Sequence, residues 1–292
     1  FLRAFAPEFG SDGLSAADGA AFAKRVEKWG YGALWIPEVM GRDALVASSW
    51  LLANTSKLTI ATGIANTYVR PALTAASAQN TLAEQSGGRF LLGLGVSHGP
   101  MVEGMRGEKY GPPVPTMRAY LEAMAKAKYM APPPAEKPKT VIAALGPKML
   151  ALASTHADGA HPYNVTPEHT AQARKILGPG KLLCTEQMVI LEKDASTARD
   201  IGRKTLGLYL TLPNYRNNFL RLGFTEQDVD NGGSDKLIDA IIAWGDEKAI
   251  RARVQEHWDA GADHVCIQSL GPEFMKLTSN EEKIFELMAP GA

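Results

Sequence analysis

Short apolar runs that lack polar alternation recur about every 30 residues along this chain, each followed by a stretch with helical spacing, the βαβ rhythm of a parallel sheet. The runs are LRAFA at 2–6, GALWI at 32–36, KLTIAT at 57–62, FLLGL at 90–94, TVIAA at 140–144, GAH at 159–161, LLCTEQMVIL at 182–191 and DHVCIQS at 263–269. A run that is apolar on both faces reads as a strand covered on both sides. Helical stripes fall between them, at 15–29, 43–56, 72–85, 116–129, 147–155, 167–177 and 196–212. Eight strands alternating with helices over 292 residues predict an α/β chain of the (β/α)8 TIM barrel type rather than a doubly wound sheet, because right-handed crossovers leave few other arrangements. The expectation is one domain, 1–292, with two excursions from strand carboxyl ends: 95–139 after the fourth strand and 192–262 after the seventh.

Ligands bind at the strand carboxyl ends of such folds, so the residues that follow each run are the candidates for chemistry. The stretch GGRFLLGLGVSHGP at 87–100 opens from a strand into Gly95, Val96, Ser97 and His98. Gly93, Gly95 and Gly99 are expected to let a ligand approach the backbone. His98 is the first candidate for acid/base work, against the alternative that it merely packs or caps. Glu38, leaving the second strand, suits a hydrogen-bonding ring or proton transfer, or else faces solvent or Arg42. Gly63, Ile64 and Asn66 after the third strand permit a bulge beside a flat ligand, or form an ordinary turn. Leu145, Gly146 and Pro147 open a helix whose N-terminus can receive a phosphate, although one glycine is no dinucleotide fingerprint. His161 ends the sixth strand and can face the same pocket.

Basic and acidic residues balance at 31 each, so no net field recruits nucleic acid or a membrane surface. The apolar runs fall short of the roughly 20 residues that cross a bilayer, and 1–9 lacks the pattern of a secretory signal, so a cytoplasmic protein is expected. Cys184 and Cys266 stand in apolar runs far from any second ligand, which favours buried thiols over a metal or redox site. No metal-ligand spacing and no G-x-S-x-G elbow is present, and metalloenzyme and hydrolase readings lack support.

The blocks GYGALWIPE at 30–38, TGIAN at 62–66, TLAEQSGGRFLLGLGVSHGP at 81–100, AALGPKMLALASTHADGAHPY at 143–163 and WGDEKAIRARVQEHWDAGADHVCIQ at 244–268 resemble, together and in order, the luciferase-like flavin and deazaflavin oxidoreductases. The nearest subgroup is the coenzyme F420-dependent oxidoreductases of actinobacterial type. This resemblance implies a deazaflavin at the strand carboxyl ends, a bulge with a cis peptide at Gly63–Ile64 under its ring, Gly95, Val96 and Ser97 along the ring's polar edge, and the phosphate at Gly146 and Pro147. Glu38 stands where relatives often carry aspartate. It implies hydride transfer between the deazaflavin C5 and a small organic substrate, and a homodimer. An FMN-dependent monooxygenase and a non-catalytic flavin-binding barrel are the alternatives. The sugar-phosphate dehydrogenases of the group follow that acidic residue with histidine and carry glutamate after the fourth strand. Here Val39 and His98 stand in those places. Their substrate therefore does not transfer, and His98, oriented by Glu38 or His161, becomes the expected proton donor or acceptor.

Overall fold

The apolar runs become the strands of one parallel sheet. The computed structural model describes residues 5–7, 13–273 and 277–290. The first half comprises β1 (Phe5–Pro7), α1 (Ala16–Lys28), β2 (Ala33–Ile36), α2 (Ala44–Ala53), β3 (Thr59–Thr62), β4 (Ala65–Asn66), α3 (Ala72–Ser86), β5 (Phe90–Gly95), a π-helical turn at Pro100–Met105, and α4 (Pro113–Ala125). The second half comprises β6 (Thr140–Ile142), α5 (Pro147–His156), β7 (Gly159–Ala160), α6 (Pro167–Leu177), β8 (Leu182–Ile190), α7 (Ala195–Leu210), α8 (Pro213–Arg221), α9 (Glu226–Val229), α10 (Asp235–Ile241), β9 (Ala243–Trp244), α11 (Glu247–Asp259), β10 (His264–Ser269) and α12 (Ser279–Leu287).

Strand order runs β1-β10-β8-β7-β6-β5-β3-β2, and the two end strands β1 and β2 lie beside each other, so the sheet curls into the expected (β/α)8 barrel. The eight expected strands are β1, β2, β3, β5, β6, β7, β8 and β10; residues 2–4 of the first lie outside the described residues. Two short strands were not anticipated. β4 arises where the chain breaks step after β3, and β9 where the chain returns from α10 to pair Ala243 with Val189.

Inward-facing Trp35, Ala61, Leu91, Val141, Cys184 and Cys266 fill the barrel interior, and both cysteines are buried and unbridged. The fully buried Trp35 indole stacks on the His161 ring and donates to His264 Nε2 at 3.0 Å. The outward residues of the same strands, among them Leu34, Ile36, Ile60, Leu92 and Ile142, form the core against the helices. Burying each such side chain is worth about 2 kcal/mol. Helix starts follow the local chemistry: Ser15, Asp43, Thr166, Asp194, Ser234, Asp246 and Thr278 each cap a helix with a side-chain oxygen.

The second excursion carries a core of its own. Leu206 and Leu210 of α7, Phe219 of α8, and Leu237, Ile238 and Ile241 of α10 pack together over Met188 and Ile190 of β8. The polar cluster at 214–218 is helical: Pro213 starts α8, and Tyr215, Asn218 and Phe219 fall on its buried face.

Candidate active site

The end of β3 is where the sheet departs from regularity. Ala61 pairs with Leu91 and Ala65 with Leu94, so four steps on one strand oppose three on the other. One extra residue is a β-bulge. It contains the Gly63–Ile64 peptide, which is cis. The Thr62 hydroxyl replaces the interrupted ladder, accepting from the Gly93 amide at 2.8 Å and donating to the Gly93 carbonyl at 2.7 Å. A Cβ at position 93 would run into the Thr62 carbonyl oxygen, and one at 95 into the Ile64 side chain. On the side where a Cβ would stand, what approaches Gly93 and Gly95 is the chain's own bulge.

Glu38 lies just beyond β2, beside that bulge. One carboxylate oxygen accepts from the Asn66 amide at 2.7 Å, the other from the Ala44 amide at 3.1 Å. The Arg70 guanidinium grips both oxygens and reaches Asp43 at 3.0 Å. The Arg70 and Glu38 side chains are 7% and 4% exposed. Its partner is thus Arg70, whereas Arg42 donates to the Leu14 carbonyl. With both oxygens engaged, Glu38 fixes the exit of the bulge to the first turn of α2.

A cavity of about 460 Å³ opens at the strand carboxyl ends. Of the residues singled out from sequence, Glu38, Gly63, Ile64, Asn66, Ser97, His98 and His161 line it. Gly95, Val96, Leu145, Gly146 and Pro147 do not: Gly95 is buried against Ile64, and Val96 packs on the main core. Tyr215 lines the cavity, while Arg216 pairs with Glu226 and Asp230 outside it and Asn217 is exposed. Tyr110 contributes indirectly, donating to the Ser97 carbonyl at 3.1 Å. Ser97 adopts φ 56°, a left-handed conformation that turns the chain toward His98.

Burial holds the His98 pKa below its usual value, opposed by a hydrogen bond with Asn214. Its ring lies 5.8 Å from that of Tyr215. His161 stacks on Trp35 at 4.3 Å and 13°. Its Nδ1 lies 2.7 Å from the Cys184 carbonyl, which only accepts, so Nδ1 carries the proton and Nε2 presents a lone pair. That Nε2 is buried without a partner among the described residues, as is Ser269 Oγ, and both residues line the cavity.

Glu186, which does not line the cavity, is a buried carboxylate that the sequence reading did not single out. It sits in β8, 1% exposed, with one oxygen accepting from the Asn164 amide at 3.0 Å and the other unpartnered. Burial raises its pKa.

These buried groups make stability depend on pH. Burial lowers the pKa of His161 to about 4 and of His257 and His264 to about 3, against 6.5 in the unfolded chain. Their contribution is complete above about pH 6.5 and lost as pH falls toward those values. Glu186 acts with the opposite sign, since its raised pKa makes the folded state hold a proton that the unfolded chain releases above about 4.5. It offsets one histidine of the three. Between pH 6.5 and 5.0 the net loss is expected to be about 3 kcal/mol, read from urea midpoints. A midpoint that stays level over that interval would refute the buried neutral histidines.

At the start of α5, Gly146 caps the helix in extended conformation with no side-chain cap. The Arg221 guanidinium stands over it, 3.6 Å from where a Gly146 Cβ would be, and donates to Asn218 Oδ1 at 2.9 Å. Asn218 Nδ2 is buried and unpartnered among the described residues. A helix N-terminus and a guanidinium together suit an anion. Among the described residues, no cluster of three or more His, Cys, Asp or Glu is placed to hold a metal ion, and no helix is long and apolar enough to cross a membrane.

The barrel, the bulge and this cavity agree with the family comparison: the model of the luciferase-like monooxygenases matches residues 1–177, and the chain belongs to that family. A Mycobacterium tuberculosis protein provisionally named a coenzyme F420-dependent oxidoreductase is 25% identical, over 86% of this chain and 90% of its own length. The 5,10-methylenetetrahydromethanopterin reductase of Methanolobus tindarius is 26% identical, over 92% of this chain and 93% of its own. The coenzyme F420-dependent tetrahydromethanopterin reductase of Methanopyrus kandleri superposes with a TM-score of 0.74 at 18% identity, covering 99% of this chain and 98% of that one.

Proposed function

We propose that this protein is a coenzyme F420-dependent oxidoreductase that transfers a hydride between the deazaflavin C5 and a small organic substrate. The observation that carries this reading is the cavity over the bulge, two of whose lining residues, His161 and Ser269, each hold a buried polar atom, Nε2 and Oγ, with no protein partner among the described residues. Unsatisfied buried polar atoms at a cavity are the mark of a bound group with complementary donors and acceptors. The names of the Mycobacterium tuberculosis relative and of the Methanopyrus kandleri reductase, both of which include coenzyme F420, give that group its chemical class.

When bound, the deazaflavin supplies or accepts the hydride. The protein's part is to position and to move a proton. Ile64 and the bulge would seat the ring, with Glu38 and Arg70 holding the bulge in register. Gly146 and Arg221 would hold the phosphate. His98, kept neutral near pH 7 by its burial, is the proton acceptor in the direction of substrate oxidation and returns the proton in reduction. Glu38 is an anchor in this scheme, since no oxygen of its carboxylate is left for substrate.

Titrating the apoprotein with F420 and with FMN tests the cofactor: tight F420 binding and weak FMN binding are expected, and the reverse order makes the protein an FMN enzyme. With F420 bound, His98→Ala is expected to lower kcat about 100-fold while F420 affinity stays within about twofold. A kcat within twofold of the parent removes His98 from the proton path.

A further inference from the structure

The cavity wall built by the second excursion differs in kind from the wall at the bulge. Leu208 and Tyr209 come from α7, Leu212 from the connection, and Tyr215 from α8. The Tyr163 and Tyr209 hydroxyls lie 2.9 Å apart, and Tyr163 donates to Gln268 Oε1 at 2.7 Å. Their polar ends therefore satisfy one another. Tyr209 meets Tyr215 edge-on at 5.0 Å, so aromatic surface and leucines form this side. At the mouth, Met40 is 70% exposed and Leu208 52%. Large exposed apolar side chains on the rim of a cavity mark where an apolar ligand enters.

Charge leads to the same conclusion. Among the described residues, no lysine or arginine lines the cavity. Two carboxylates do, but Glu38 is closed off by Arg70, and Glu273 stands on the exposed rim. An anionic substrate would be desolvated here with no lysine or arginine among the described lining residues to offset the cost.

We infer that the substrate is an uncharged, largely apolar molecule with one carbonyl or hydroxyl group, lying against Leu208, Leu212 and Tyr215 with that group toward His98. Reduction adds the hydride of reduced F420 to the carbonyl carbon and a proton to its oxygen; oxidation of the alcohol returns both, with F420 as hydride acceptor. The inference rests on the reading of this cavity as an F420 oxidoreductase site.

The test compares two ketones of similar size, 4-ethylcyclohexanone and 4-oxocyclohexanecarboxylate, in two assays. In the first, the neutral dye Nile red is bound to protein without cofactor and displaced by each ketone. The neutral ketone is expected to displace it at a concentration at least about tenfold lower. In the second, F420-loaded protein is expected to favour the neutral ketone about 100-fold in kcat/KM. Leu208→Arg, a change at an exposed position, is expected to shift both ratios about fivefold toward the carboxylate. Equal or better performance of the carboxylate, absence of Nile red binding, or ratios unmoved by Leu208→Arg each overturn the inference. If F420 fails to bind while the dye is displaced selectively, the cofactor reading falls and the apolar preference stands. If F420 binds and the carboxylate is preferred, the opposite holds.

Discussion

Arg70→Met is expected to destabilise the fold by about 4 kcal/mol, because removing one member of a buried ion pair leaves the other as an uncompensated charge. Glu38 would keep the Asn66 and Ala44 amides but lose the guanidinium that engages both its oxygens. The damage is not confined to stability. Asn66 lies in β4 directly after the bulge, so a displaced Glu38 loosens the proposed ring seat, and F420 affinity is expected to fall with the urea midpoint. Glu38→Gln combined with Arg70→Met removes the stranded charge, and this double variant should recover about half of the lost stability. A double variant as unstable as Arg70→Met alone would mean that the pair matters through shape and not through charge.

Gly93→Ala should cost a similar amount, again about 4 kcal/mol, through a different route: overpacking against backbone together with the loss of two hydrogen bonds. The added methyl meets the Thr62 carbonyl oxygen, and separating the strands to admit it breaks both bonds of the Thr62 hydroxyl. The control is Gly19→Ala in α1, where nothing lies within 4 Å of the new methyl. That change should be neutral or stabilise by about 0.5 kcal/mol. Thermal melts of the two variants measure the contrast, and equal melting temperatures would show that β5 can shift to accommodate the bulge.

The parts of this fold that sequence reveals are those set by local pattern. Each barrel strand is announced by a run such as FLLGL or TVI that has no polar alternation, because both faces are covered. The helices α8, α9 and α10 are poorly announced, being 9, 4 and 7 residues long, too short for a period to stand out from the polar residues around them. For the site, the residues that leave strand ends can be read directly: Glu38, Ile64, Ser97, His98 and His161 converge on one cavity because strand ends converge. Their partners cannot be read this way. Arg70 meets Glu38, and Arg221 meets Gly146, only through the closing of the barrel and the packing of α8. Glu186 did leave a local sign, as a lone carboxylate within LLCTEQMVI, a strand otherwise apolar or neutral.

The separate core beneath α7, α8 and α10 has a bearing on how this enzyme changes over time. The bulge after β3 is tied into the barrel by the hydrogen bonds of Thr62, Gly93, Glu38 and Arg70. Leu212 and Tyr215 rest instead on packing that belongs to their own segment, attached through Met188 and Ile190, and Leu208 stands exposed at its edge. Substitutions there are therefore expected to act on this segment's own core and to leave the strand pairing of the barrel in place. For the engineer seeking new substrates, residues 195–242 are the stretch to randomise or to transplant between homologues.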